Sequence, residues 1–123
     1  MATILITGIT GFIGSHLAKA LVEKGHSVHG MIKHSPTRDL KIQPLSEILD
    51  RVALTTADFT NLYSVKDVLK SVMPDYVYHL GAITPVRLSF TRPYEYLETN
   101  YTGTVNMVHA FLDLPDHQDR QFI

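Results

Sequence analysis

The glycine-rich stretch near the start of the chain constrains the fold more than any other feature. The residues before it, Thr3 to Thr7, are mostly apolar and β-branched, which predicts a strand buried on both faces. Gly8, Gly11 and Gly14 follow at intervals of three, and an amphipathic segment comes next. A strand, a glycine turn and a helix in this order are typical of a phosphate site, because the N–H groups at a helix N-terminus attract anions.

The three glycines have different roles in such a turn. The first allows the chain to leave the strand sharply, the second lets a pyrophosphate approach the backbone, and the third lets the helix pack closely on the strand. The predicted phosphate site consists of Gly8, Thr10, Gly11, Phe12, Ile13 and Gly14. The alternative is a glycine-rich turn without a ligand.

Strand and helix patterns alternate along the rest of the chain. The predicted strands span residues 3–7, 27–32, 51–55, 76–80 and 121–123. Helices are predicted at 13–24, at 61–72 with Thr60 as N-cap, from Pro44 to Asp50, and from Pro93 to Leu114, and residues 83–92 are predicted to be a loop. This alternation favours an α/β fold built from right-handed βαβ units with parallel strands.

Length and composition favour a single domain spanning residues 1–123 and exclude several classes of protein. A net charge of -1 gives no indication of a nucleic-acid or membrane partner, and no apolar run is long enough to span a bilayer. The absence of cysteine excludes disulfides and a thiolate nucleophile. Met1 leads directly into the first strand without a secretory signal pattern, so a cytoplasmic location is expected, and no metal site is predicted.

Three motifs resemble the extended short-chain dehydrogenase/reductase family, which contains nucleotide-sugar epimerases, 4,6-dehydratases and reductases. They are Thr-Gly-x-x-Gly-x-x-Gly at 7–14, Pro-Asp-Tyr-Val-Tyr-His-Leu-Gly-Ala at 74–82, and Asn-Tyr-Thr-Gly-Thr-Val-Asn at 100–106. Together they place essentially the whole chain within the resemblance. It implies a Rossmann-like, doubly wound parallel sheet in the strand order 3-2-1-4-5, which ends here with the start of the fifth strand.

The residues after the second predicted strand bear on the choice of nicotinamide cofactor. An NAD site needs a carboxylate there for the ribose 2′-OH, whereas an NADP site needs cations and hydroxyls for the 2′-phosphate. No carboxylate occurs between Gly30 and Asp39, and Lys33 and Ser35 are able to bind a phosphate. The sequence therefore favours NADP over the alternative, NAD. The other interpretation is that Lys33 and its neighbour His34 belong to a solvated loop.

The resemblance also implies further residues of the cofactor site. Asp58 and Phe59 stand where the family binds adenine, and the alternative is that Asp58 only caps a loop. Asn100 matches an asparagine that bonds backbone and water near the cofactor. Leu80, Gly81 and Ala82 are expected to lie along the cofactor.

Residues that follow the fourth strand are the candidates for substrate binding, because ligands bind at the carboxyl ends of the strands in an open α/β sheet. Thr84 stands where the family often has a serine or threonine near the sugar and the nicotinamide, and Arg87 is also available. His79 at the end of the strand matches a histidine that has a structural role in the family.

No residue is assigned as catalytic. In the resembled family a serine or threonine and then Tyr-x-x-x-Lys follow the fifth strand, and the tyrosine exchanges a proton while a hydride passes between a sugar carbon and the nicotinamide. The present sequence contains no Tyr-x-x-x-Lys. We therefore expect a cofactor-binding portion, inactive alone, of a longer nucleotide-sugar epimerase, dehydratase or reductase that lacks its catalytic and substrate regions here. The family also implies a homodimer through the helix at 94–113, and the alternative function is a non-catalytic NAD(P) sensor.

Overall fold

The computed structural model describes all residues from Met1 to Ile123. Strands β1 to β5 span Thr3–Thr7, Ser27–Ile32, Val52–Thr56, Tyr76–His79 and Gln121–Phe122. Helices α1 to α6 span Phe12–Glu23, Arg38–Lys41, Leu62–Val72, Val86–Ser89, Pro93–Tyr96 and Gly103–Leu112. A π-helical segment, Leu97–Thr102, joins α5 to α6, and single 3₁₀ turns occupy Gln43–Leu45, Leu49–Arg51 and His117–Asp119.

The strands form one parallel sheet in the order β3-β2-β1-β4-β5, which confirms the predicted Rossmann-like topology. Leu5 at the middle of β1 is paired with His29 of β2 on one side and with Val77 of β4 on the other. Because parallel strands carry helices on both faces, the central strand is buried from Ile4 to Thr7. The apolar residues Ile4, Leu5 and Ile6 have at most 3% of their surface exposed.

Two hydrophobic cores lie on opposite faces of the sheet, since successive side chains of a strand point to opposite sides. Leu5 belongs to the core beneath α3 and α6, together with Val65, Leu69, Val77, Met107 and Phe111. Ile4 and Ile6 belong to the core beneath α1 and the turns after α2, together with Ala18, Val22, Val28, Leu45 and Ile48. The sheet is therefore covered on both faces, and its strand ends remain free to border a site.

Helix α3 begins one residue later than predicted, and its N-cap is Asn61 rather than Thr60. The Asn61 side chain accepts a hydrogen bond of 3.2 Å from the Ser64 N–H, as an N-cap residue does. Thr60 precedes the N-cap, and its hydroxyl donates to Asp58 at 2.7 Å. The helix ends at Val72, and the C-cap residue Met73 adopts a left-handed conformation with φ of 49°.

Other boundaries also differ from the prediction. Helix α1 begins and ends one residue earlier, β3 begins and ends one residue later, and β4 ends at His79. Pro44 lies in a 3₁₀ turn of three residues instead of beginning a helix to Asp50. The predicted loop at 83–92 contains the short helix α4, and the long helix begins at Pro93 as predicted but includes the π-helical segment and ends at Leu112. No helix of the chain combines the length and the apolar character that crossing a membrane requires.

Candidate functional site

A cleft of about 640 Å³ opens at the carboxyl ends of β1, β2 and β4. The strand order changes direction between β1 and β4, which is the place where open α/β sheets bind ligands. The walls come from the glycine turn, the residues after β2, the loops after β3 and β4, and the π-helical segment. The lining residues are Gly8, Thr10, Gly11, Phe12, Ile13, Gly14, Met31, Ile32, Lys33, Arg38, Lys41, Ile42, Phe59, Leu80, Gly81, Ala82, Ile83, Thr84 and Thr99.

The glycine turn at the floor of the cleft has no room for side chains at two positions. Gly8 has a φ of +65°, and a Cβ there would lie 2.8 Å from the backbone N of Gly81. A Cβ on Gly14 would overlap the carbonyl oxygen of Gly8, so α1 approaches β1 more closely than any larger residue allows. The roles predicted for the first and third glycines therefore agree with the space around them.

The N-terminus of α1 faces the cleft without a side chain that caps it. Gly11 is the N-cap residue, and no acidic residue occurs in the first turn. Phe12 and Ile13 follow with 81% and 67% of their surfaces exposed. The first N–H groups of a helix have no partner within the helix, and they carry part of its positive dipole. The turn thus offers free donors and positive potential to an anion.

One wall of the cleft is basic. Lys33 follows β2, and Arg38 and Lys41 of α2 line the same cleft. Arg38 and Lys41 were missed by the sequence analysis, although two cations three residues apart after Lys33 are a signal that could have identified them. Predicted Ser35 does not line the cleft, and its hydroxyl is instead 3.1 Å from the Thr37 hydroxyl.

A smaller cavity of about 40 Å³ lies beside the cleft. Its lining residues are Met31, Lys33, Ala57, Asp58, Phe59, Thr60 and Thr99. Because Lys33, Phe59 and Thr99 border both spaces, the two are neighbours across these side chains. Thr99 was not among the predicted site residues, and it belongs to the π-helical segment.

Asp58 lines the smaller cavity and does not line the cleft. Its Oδ1 accepts hydrogen bonds from the backbone N–H and the hydroxyl of Thr60, at 2.9 and 2.7 Å. Burial alone would raise the pKa of Asp58, but the bonds from Thr60 and the charge of Lys33 hold it below the usual value. The bonds to Thr60 are those that the loop-cap interpretation predicts, and they occupy one of the two carboxylate oxygens.

The ring of Phe59 fills a gap between two glycines. A Cβ on Gly81 would lie 2.7 Å from its Cε1 atom, and a Cβ on Gly103 would overlap its Cδ2 atom. The ring also packs edge-on against His79 with 5.2 Å between the ring centroids. Phe59 is therefore held on three sides while it borders the cleft.

The loop after β4 forms the opposite wall. The predicted residues Leu80, Gly81, Ala82 and Thr84 all line the cleft, and Ile83 lines it with them. Predicted Asn100 stands behind this wall: its Oδ1 accepts from the Ile83 N–H at 2.8 Å, and its Nδ2 donates to the Ile83 carbonyl at 2.9 Å. Arg87, on the exposed helix α4, does not line the cleft.

Comparison with known proteins finds similarity to nucleotide-sugar dehydratases and epimerases. Residues 5–123 match the family model described as GDP-mannose 4,6 dehydratase. The chain is 33% identical over 112 residues to the GDP-mannose 4,6 dehydratase of Homo sapiens, covering 86% of this chain and 30% of that protein. It is 31% identical over 117 residues to the UDP-glucuronate 4-epimerase of Thermodesulfobacterium geofontis, covering 92% of this chain and 36% of that protein.

Solved structures agree in fold. The Bordetella bronchiseptica enzyme WbmH in complex with NAD⁺ superposes with a TM-score of 0.71 at 27% identity, covering 89% of this chain and 34% of that one. The UDP-glucose 4-epimerase of Stenotrophomonas maltophila with bound NAD gives a TM-score of 0.80 at 24% identity, covering 92% of this chain and 34% of that one, which shows the common fold. The chain spans about a third of the length of each of these proteins, from 30% to 36%.

Proposed function

The chain belongs to the GDP-mannose 4,6 dehydratase family, and we propose that it is the part of such an enzyme that holds a nicotinamide cofactor. The cofactor supplies a hydride acceptor and donor for a carbon of a nucleotide sugar. We propose that the catalytic Tyr-x-x-x-Lys and the substrate domain lie outside residues 1–123, which form one NAD(P)-binding domain and bind the cofactor without turnover.

The observation that supports this proposal is the shape of the glycine turn between β1, α1 and β4. We call the surface formed by Gly8, Gly11 and Gly14 the glycine cradle. Side chains at Gly8 and Gly14 are excluded by backbone atoms, and the uncapped N-terminus of α1 offers free N–H groups. The pyrophosphate of a dinucleotide fits such a cradle, because it is anionic and needs close contact with the backbone. The six turn residues predicted from the sequence, Gly8, Thr10, Gly11, Phe12, Ile13 and Gly14, would bind it.

We propose NADP as the cofactor, because the wall beyond β2 is basic. Lys33, Arg38 and Lys41 line the cleft, and no acidic residue does. A ribose 2′-phosphate gains charge-assisted hydrogen bonds from such cations, whereas the 2′-OH of NAD is usually bound by a carboxylate. Ser35 stands next to this wall in sequence, and we retain it as a further candidate for the 2′-phosphate. NAD, which two of the similar structures contain, is the alternative.

We propose that the adenine lies near Asp58 and Phe59. The second carboxylate oxygen of Asp58 accepts no hydrogen bond within the chain and is suited to an exocyclic amino group. Asp58 lines the smaller cavity, which shares Phe59 and Thr99 with the main cleft. Leu80, Gly81 and Ala82 would lie along the cofactor, Thr84 and Arg87 near the substrate, and Asn100 would hold the loop between them.

The substrate and the assembly belong to the whole protein. We propose a nucleotide sugar as substrate, because the relatives bear the names of nucleotide-sugar dehydratases and epimerases. We also propose a cytoplasmic location and a homodimer formed through the helix at 94–113. An exposed apolar stripe on that helix supports the dimer, since its residues recur every three or four positions. They are Tyr94, Leu97, Tyr101, Val105, Val108 and Leu112.

Calorimetric titration of the protein with NADP⁺ and, separately, NAD⁺ tests the proposal. We expect NADP⁺ to bind at least about tenfold more tightly, which corresponds to about 1.4 kcal/mol. NAD⁺ binding tenfold tighter would overturn the assignment of the basic wall, and binding of neither would overturn the site. For the complete natural protein, turnover of a nucleotide sugar supports the enzyme. Cofactor binding without turnover by that protein supports the alternative, a non-catalytic NAD(P) sensor.

A further inference from the structure

A chain of hydrogen bonds crosses the sheet beneath the cleft and has His79 at its centre. The Nδ1 atom of His79 is 2.7 Å from the hydroxyl of Thr7, which is fully buried at the end of β1. The Nε2 atom is 3.1 Å from the hydroxyl of Thr104 in α6. The imidazole therefore connects the central strand to a helix that packs on one face of the sheet.

The hydroxyl directions determine which nitrogen of His79 carries the proton. Thr104 donates its hydroxyl hydrogen to the Asn100 carbonyl at 2.7 Å, so it can only accept from His79. The Nε2 atom is thus the donor, and in the neutral ring Nδ1 accepts from Thr7. Thr7 in turn accepts the Gly81 N–H at 2.9 Å. Each polar atom in this chain of bonds has a partner with matching donor and acceptor roles.

Both ends of this series of hydrogen bonds reach the wall of the cleft. At one end Thr7 holds the Gly81 N–H, and at the other the Thr104 hydroxyl holds the backbone of Asn100. The Asn100 side chain bonds both the N–H and the carbonyl of Ile83. Gly81 and Ile83 line the cleft, so the backbone between them is fixed from two directions.

We propose that His79 is a positioning residue for the cofactor site, linking Thr7 to Thr104 so that these two hydroxyls hold the 81–83 backbone in place. The rings that contact His79 are Phe59 and Phe122, and both are apolar. Burial lowers the pKa of His79, which favours the neutral ring that the bonding pattern requires. The effect on cofactor affinity rests on the proposed function, whereas the tautomer and the loop contacts do not.

The first measurement is the tautomer of His79 in the wild-type protein, obtained from long-range ¹H–¹⁵N correlations in NMR spectra. We expect the proton on Nε2 at neutral pH. A proton on Nδ1 overturns the proposal, because Thr104 would then have no donor to accept from. This result does not depend on any variant folding or on any ligand.

The second measurement compares Thr104→Val with Thr104→Ser and with Thr102→Val, an exposed threonine two residues earlier that serves as the matched control. Amide hydrogen exchange and NADP⁺ affinity are measured on all three. We expect Thr104→Val to speed exchange at Ile83 at least about tenfold more than at core amides, and to weaken NADP⁺ binding by about fivefold. Thr104→Ser and Thr102→Val should both keep the exchange rate at Ile83 and the NADP⁺ affinity close to the wild-type values.

The outcomes separate the two proposals. If Thr104→Val lowers global stability but changes Ile83 exchange no more than the core and leaves the affinity intact, His79 has only a structural role. If the wild-type protein binds neither NADP⁺ nor NAD⁺, the proposed function fails. Exchange at Ile83 and the tautomer of His79 then still decide whether the histidine positions the loop.

Discussion

The ring of Phe59 occupies the space that a side chain at Gly103 would need. Gly103 belongs to the third sequence motif, and Phe59 follows the aspartate that we place near adenine. The packing of α6 against the site therefore depends on the absence of a Cβ at one position. Any larger residue at 103 must displace the ring or the helix.

Substitution of Gly103→Ala is expected to destabilise the protein by about 1–3 kcal/mol, the usual cost of overpacking a filled site. Alanine favours a helix over glycine by about 1 kcal/mol, so a destabilisation observed here is a lower limit for the clash. Denaturant unfolding of the single variants and of Gly103→Ala with Phe59→Ala measures it. Removal of the ring should reduce the cost of the alanine, and simple additivity of the two changes would contradict the contact.

Substitution of Gly14→Ala is expected to abolish cofactor binding. The new Cβ would overlap the Gly8 carbonyl oxygen, which forces α1 away from β1 and moves the N–H groups that we assign to the pyrophosphate. Calorimetry with NADP⁺ provides the measurement. Ala20→Gly at an exposed position of the same helix is the control for helix stability, and it should retain binding. Wild-type affinity in Gly14→Ala would exclude the cradle as the phosphate site.

The basic wall of the cleft predicts that removal of its positive charges weakens NADP⁺ binding more than NAD⁺ binding. Arg38→Met with Lys41→Met is expected to weaken NADP⁺ binding by about tenfold or more while NAD⁺ binding stays nearly constant, because only NADP⁺ carries the 2′-phosphate. Lys24→Met, at the exposed C-terminus of α1, is the matched control for a lost positive charge. An equal loss for both cofactors would show that these cations act on a group that the two share.

Acid is expected to destabilise the protein through His79 and His29. Burial lowers the pKa of both side chains in the folded state below the ordinary value of 6.5. The unfolded chain then binds more protons, so the stabilising contribution is complete above pH 6.5 and is lost as the pH falls towards the folded-state pKa values. Urea unfolding between pH 5 and pH 8 gives the slope, and His79→Asn should flatten it. An unchanged slope in that variant would show that His79 does not contribute to the pH dependence of stability.

The exposed stripe on the helix at 94–113 predicts a change in assembly. In the complete natural protein, Leu97→Glu with Tyr101→Glu is expected to convert a dimer into a monomer, because two charges would be buried at the interface. Light scattering after size-exclusion chromatography measures the mass. Tyr63→Glu is the control, since Tyr63 is an exposed aromatic residue of α3 outside the stripe. A dimer that survives both changes would place the interface elsewhere.

The glycine turn and the alternation of strands and helices could be predicted from local patterns, whereas the sheet order and most of the cleft residues beyond the turn were implied by the family resemblance. The strand before Gly8 is mostly apolar and β-branched, and the spacing of the glycines is typical of one kind of turn. Arg38 and Lys41 were missed because they lie on a helix of four residues that has no periodic pattern. Thr99 was missed, and it lies in a π-helical segment that the sequence pattern did not predict. The N-cap of α3 was misassigned because Thr60 and Asn61 are both residue types that cap helices, and only the folded loop places Asn61 at the cap.

The π-helical segment also sets the angular phase between the two halves of the long helix. Each residue of an α-helix turns the chain by about 100°, so a wider turn shifts everything beyond it relative to what precedes it. Thr99 lies within this wider turn and lines the cleft, while Met107 and Phe111 beyond it lie in the core. A deletion of one residue within 97–102 would restore a regular turn. No single rotation of the helix about its axis would then keep both Thr99 at the cleft and Phe111 in the core.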